Sequence, residues 1–233
     1  MKNYLLILGI SLLANTAVSA QTTEIIKVAA GNDIATAVSV YGIYRLPAFA
    51  NGTVYFKDGK LGKELLNYNI LNGQVMYVTK QGDTLAIASP AEIKKVAINN
   101  IIFYYAKDSW LEDIGDATAA TLVVKRKVNI RYEKKGAFGL SDNTNDVDSY
   151  TSYTSDHASY QLFINDDASV TRITSYFLLT ANGQLLPANK GNFYNQFASN
   201  KKDIENYLSS NKVNFNKEQD LVHLLAVTDS IKQ

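Results

Sequence analysis

Between Thr53 and Tyr105 six short apolar runs follow one another, each closed by a turn signal. The runs are Thr53–Phe56, Glu64–Leu71, Gln74–Thr79, Thr84–Ala88, Lys94–Ile98 and Ile101–Tyr105. Between them stand Lys57-Asp58-Gly59-Lys60, Asn72-Gly73, Gln81-Gly82-Asp83, Ser89-Pro90 and Asn99-Asn100. Asp-Gly and Asn-Gly accept the positive φ that tight hairpin turns demand, so the runs flanking Asn72-Gly73 are the strongest hairpin in the chain. Leu66, Tyr68 and Ile70 alternate with Leu65, Asn67 and Asn69, the period-two pattern of a half-buried strand. Links this short join antiparallel strands, because a parallel crossover needs a dozen residues or more. The expected fold class is therefore α+β, mainly β: an antiparallel up-and-down meander, either a twisted sheet or a partly closed barrel.

The flanks extend this sheet. Glu24–Val28 is a candidate first strand, Asn32–Val40 is ambiguous, and Tyr41–Ala50 reads as an irregular lead-in whose aromatics plug one end of the sheet. Thr121–Lys135 is the longest strand candidate. Arg126, Val128, Ile130 and Tyr132 share one side of it, and Lys125, Lys127, Asn129, Arg131 and Glu133 the other. With Lys134 and Lys135 this makes a local basic stripe, read as a solvated face or as charge protecting a sheet edge, with binding of an anionic polymer as the alternative. Strands resume at Tyr160–Ile164 and Arg172–Thr180, and Asn182-Gly183 turns the chain into Gln184–Leu186.

From about residue 188 the spacing becomes helical: Phe193 with Phe197, then Ile204, Tyr207 and Leu208, then Leu221, Val222, Leu224 and Leu225. Three short helices are expected, the last capped by Asn216. Too short to be stable alone, they must dock on the sheet or on one another.

The N-terminus carries an address. Lys2, the apolar stretch Tyr4–Leu13 and the small residues Val18-Ser19-Ala20 form a secretory signal, giving Gln21 as the expected mature start. The expected organisation is a signal peptide over residues 1–20, a β-rich domain over 21–187 and a helical segment over 188–233. No later run is long enough to span a bilayer as a helix. The chain holds no Cys, which excludes disulfides, thiolate metal sites and a lipidated cysteine. Without the signal, basic and acidic residues balance, so no global charge draws the chain to nucleic acid.

Chemistry is sparse. The two histidines, His157 and His223, give no zinc pattern, and G-x-S-x-G, P-loop and dinucleotide fingerprints are absent. The stretch 136–159 is rich in Ser, Thr, Asp and Tyr and is expected to be a mobile excursion. In it Asp142, Asn145, Asp146 and Asp148 fall short of a calcium loop, lacking its Gly and closing Glu. The sequence therefore assigns no catalytic residue, cofactor or metal. Candidate ligand contacts are Tyr150 and Tyr153 in that stretch and the lone tryptophan, Trp110, which is otherwise a core anchor. Glu64, Glu92, Glu112, Asp113 and Asp116 are the carboxylates from which a hydrolytic pair could be assembled.

The block GTVYFKDGKLGKELLNYNILNGQVMYVTKQGDTLAIASPAEIKKV, together with PANKGNFYNQF and IENYLSSNKVNFNKEQDLVHLL, resembles a family of uncharacterised exported bacterial cell-envelope proteins. The resemblance implies export and a β-rich fold with a helical tail, and carries no catalytic residue. The expected function is that of an exported, non-enzymatic envelope protein with a binding or structural role, meeting a protein or glycan in the periplasm, at the outer surface or outside the cell. The alternatives are a carboxylate-dependent hydrolase of glycans or peptides, and a carrier of an apolar ligand in a curved sheet.

Overall fold

A computed structural model describes residues 20–133, 164 and 166–229. Residues 1–19 of the expected signal segment, the polar stretch 136–159 with its candidate calcium residues, and positions 160–163 of one expected strand lie outside the described residues.

The described strands, all paired antiparallel, are β1 (Gln21–Val28), β2 (Ala50–Phe56), β3 (Leu61–Asn69), β4 (Gln74–Val78), β5 (Thr84–Ala86), β6 (Ile93–Ile98), β7 (Ile101–Ala106), β8 (Ser109–Asp116), β9 (Ala120–Glu133), β10 (Asp167–Thr180) and β11 (Leu185–Pro187). Together they form one eleven-stranded sheet in the order β1-β10-β9-β8-β7-β6-β2-β3-β4-β5, with β11 beside β10. The sheet does not close into a barrel. It curls instead: the ring of Tyr68 on β3 stacks on Phe103 of β7 at 5.0 Å although two strands lie between them in the sheet.

The turns at Asn72-Gly73 and Asn182-Gly183 form as expected, with φ of 69° at Gly73 and 79° at Gly183. At Ser89-Pro90 the path departs from a simple meander. Pro90–Glu92 form a 3₁₀ turn, and β6 pairs with β2 rather than with its sequence neighbour β5. The sheet is thus two meanders, β2–β5 and β6–β10, joined at β2 and β6. β8 is a strand that the apolar pattern did not mark. Its hairpin from β7 turns on Lys107 and Asp108, both in the left-handed region at φ 49° and 55°, without a glycine to advertise it.

Register places one continuous face inward. On it stand Glu112 opposite Val124, Val124 opposite Tyr176, Arg126 opposite Thr174, and Arg172 opposite Glu24. Two apolar clusters cover this face. One joins β2–β4, β6–β8 and the far ends of β9 and β10 to Ile34, Ala37 and Val38, around the short helix α1 (Ala35–Val38). The other gathers Leu122, Val124, Tyr176 and Leu178 under α2 (Lys190–Gln196), α3 (Lys201–Ser210) and α4 (Glu218–Asp229). The helices dock on both the sheet and one another: Phe193, Ile204, Leu221 and Leu224 are fully buried, and burying such side chains supplies stability that isolated short helices lack. α2 is capped by Asn189, whose side chain accepts from Asn192 N at 3.0 Å. Asn216 has another role than the cap expected of it, because its Oδ1 accepts from Gln21 N at 2.8 Å and ties β1 to the helical tail.

The β9 basic stripe does not protect an edge. β9 is an interior strand between β8 and β10. Lys127 and Arg131 project from it into solvent, while Arg126 turns inward, half-buried, on the opposite face.

Candidate functional site

Between the two apolar clusters the inner face turns polar. Glu112, on β8, is the only buried charged side chain among the described residues. A carboxylate here must be paired, since an isolated buried charge costs several kcal/mol or more. Arg45, from the lead-in before β2, supplies a two-point grip: its Nη2 donates to Glu112 Oε1 at 2.7 Å and its Nε to Oε2 at 2.9 Å. Arg126 on β9 donates from Nε to Glu112 Oε2 at 3.2 Å and from Nη2 to Glu218 Oε2 at 3.3 Å. Glu218 opens α4, where a carboxylate also complements the helix N-terminus. One chain of ion pairs therefore ties lead-in, sheet and helical tail together.

Burial alone would push the Glu112 carboxyl up, but the hydrogen bond from Arg45 and the charges of Arg126 and Arg45 outweigh it and hold it below its ordinary 4.5. Its neighbour Asp113 points to the opposite face, where burial raises its carboxyl and Gly115 N donates to it at 3.0 Å across the bulge of β8.

Above this network lies a groove of about 430 Å³, floored by β1, β9 and β10 and walled by residues 38–41 after α1. The charged side chains on its face are Arg45, Arg126 and Arg172 against one carboxylate, Glu24. Arg172 Nη2 donates to Glu24 Oε2 at 2.6 Å at the rim. Val38, Val40, Tyr41, Ile70 and Val128 supply the apolar part. Two wider grooves, of about 940 and 770 Å³, are built from the strand-end turns around Lys107 and Ala181 and from the α3–α4 connection.

The residues singled out in the sequence fall elsewhere. Trp110 is 2% exposed, with the Tyr105 ring edge-on at 5.3 Å, and offers no face to a ligand; it belongs to the core. Tyr150, Tyr153 and His157 lie outside the described residues, and His223 is exposed on α4. Among the expected carboxylates Glu64 on β3, Glu92 in the 3₁₀ turn and Asp116 at the end of β8 are exposed, and Asp116 accepts from the Thr121 hydroxyl at 2.9 Å. They do not converge on Glu112. Among the described residues no group of three or more His, Cys, Asp or Glu is placed to hold a metal ion, and no helix is long and apolar enough to cross a membrane.

Sequence reading missed Arg45 altogether, and it placed Arg126 beside Val128 and Ile130 without assigning it a role. The available signal was Arg126 on the same strand side as Val128 and Ile130, an apolar side on which a charge needs a partner. Nothing local could name that partner. The chain matches no protein-family model, no curated protein and no solved structure.

Proposed function

We propose that the protein is an exported, non-enzymatic component of the bacterial cell envelope with a binding role. The observation that carries the non-enzymatic half is the state of Glu112. A general acid or base needs a carboxyl that can exchange a proton near working pH, and a glycosidase-type acid has its pKa raised. Glu112 has the opposite environment, with both oxygens taken by guanidinium groups and its pKa lowered. Export is supported by the N-terminal pattern of Lys2, Tyr4–Leu13 and Val18-Ser19-Ala20. A cut after Ala20 falls at the first residue of β1 and leaves the pairing of Gln21 with Ser175 available. The carrier alternative draws less support, because it relies on a barrel interior and this sheet ends at β1 and β5.

The test has two arms. Full-length chain expressed in a bacterial host is fractionated and its N-terminus sequenced, with a Gln21 start in the envelope or medium expected. An intact Met1 start in the cytosol overturns export. The purified mature form is assayed on glycan and peptide substrates beside Glu112→Gln. Turnover by the parent that the variant lacks overturns the non-enzymatic reading.

A further inference from the structure

We propose that the groove above Glu112 binds a small organic anion in which a carboxylate or phosphate is carried on an apolar body. The inference deepens the binding reading given above.

The charge balance of the lining comes first. Three cationic side chains, Arg45, Arg126 and Arg172, face one carboxylate, Glu24. Glu112 lies beneath this lining, not in it. It anchors two of the guanidinium groups from below, at 2.7–3.2 Å. Anchored cations are pre-organised, so a ligand meets donors whose ordering cost was met during folding.

The donor count comes next. A guanidinium has five N–H donors. Arg45 commits Nε and Nη2 to Glu112, Arg126 commits Nε and Nη2 to the two glutamates, and Arg172 commits Nη2 to Glu24. Among the described residues, the Nη1 groups of all three carry no partner. Planar two-point donation of this kind suits carboxylate and phosphate oxygens.

The rest of the groove explains why the ligand is amphipathic. Ile70 and Val128 line its interior, while Val40 and Tyr41 stand at its mouth at 87% and 49% exposure. Apolar side chains that stay wet beside cations gain from covering by an apolar ligand body. A volume of about 430 Å³ suits a small molecule rather than a polymer.

Calorimetric titration of the purified full chain with octyl phosphate, octanoate, inorganic phosphate and octyl glucoside tests this. The expected result is binding of at least one octyl anion, weakened by salt and at least about tenfold tighter than octyl glucoside or inorganic phosphate. Preference for octyl phosphate assigns a phosphate head, and preference for octanoate a carboxylate head. Arg172→Gln leaves the Glu112 network intact and should raise Kd about tenfold, whereas Lys127→Gln, on the opposite face of β9, should leave it unchanged. Val40→Asp, which spares every cation, should weaken the octyl anions more than inorganic phosphate. Absence of binding by both octyl anions, equal binding of octyl glucoside, or an unchanged Kd in Arg172→Gln overturns the inference. Because the titration uses purified protein, failed export leaves it standing, and failed binding leaves the export and non-enzymatic arms standing.

Discussion

Arg45 and Glu112 are 67 residues apart in sequence and meet through two hydrogen bonds of 2.7 and 2.9 Å. The pair closes the seam between the two halves of the core. Removing one partner of a buried pair leaves the other charge uncompensated, at a cost of about 3–5 kcal/mol. Arg45 remains partly exposed, so Arg45→Met should lie near the lower end, about 3 kcal/mol by urea unfolding. Lys60→Gln, which breaks the solvent-exposed pair with Asp58, should leave the urea midpoint unchanged. Equal effects would mean that the Arg45–Glu112 contact carries no special weight.

The same pair sets an acid limit. Glu112 has a folded pKa below its ordinary 4.5, so the folded state binds the proton less well than the unfolded chain. Its contribution is fully present above about pH 4.5 and is lost as pH falls through the folded pKa. Asp113 acts in the opposite sense, because burial raises its carboxyl and favours the folded state as that group protonates. Unfolding free energy measured from pH 6 downward should fall more steeply in the parent than in Glu112→Gln. Parallel curves would remove Glu112 as a determinant.

Two glycines permit close approaches of different stiffness. At Gly52 an added Cβ would lie 2.6 Å from Leu66 Cδ1 and 2.8 Å from the Ala97 carbonyl oxygen, which is backbone and cannot swing away. At Gly115 it would lie 2.9 Å from Leu225 Cδ2, the end of a flexible side chain on α4. Gly52→Ala should therefore cost about 2–3 kcal/mol and Gly115→Ala about 1 kcal/mol. Thermal midpoints in the reverse order would contradict this account of the β2–β6 junction.

Trp110 is buried and its Nε1–H has no hydrogen-bond partner. Replacing it with phenylalanine removes volume and also the cost of a buried unpaired donor. Trp110→Phe should thus cost roughly 1–2 kcal/mol, against about 3–5 for Trp110→Ala. As the only tryptophan, Trp110 reports the fold directly: its emission should be blue-shifted and resist iodide quenching until the chain unfolds. A solvent-like spectrum from the native protein would be inconsistent with its place in the core.

Packing of the tail gives a last prediction. Phe193 is fully buried between Phe197, stacked at 5.9 Å, and the edge of Phe215 at 6.2 Å. Phe193→Ala should cost about 3–5 kcal/mol and make limited proteolysis cut the segment after residue 188 faster than in the parent, with cleavage within β2–β4 unchanged. Proteolysis beginning in β2–β4 instead would show that the helices are not held by this aromatic cluster.

What the sequence by itself determined was local. Alternation at Leu66, Tyr68 and Ile70 makes β3, and Asn72-Gly73 and Asn182-Gly183 turn the chain because glycine reaches positive φ without strain. The spacing of Phe193 and Phe197 and of Leu221, Leu224 and Leu225 makes helices with one apolar side. These features act within a few residues, so a period or a turn pair suffices to reveal them. Tertiary structure alone decided that β6 returns to β2, that the Lys107-Asp108 turn opens the interior strand β8, and that Arg45 and Arg126 converge on Glu112. The reason is physical. Strand neighbours and buried ion partners are selected by how whole faces pack and by the need to neutralise a desolvated charge, and neither leaves a mark in local spacing.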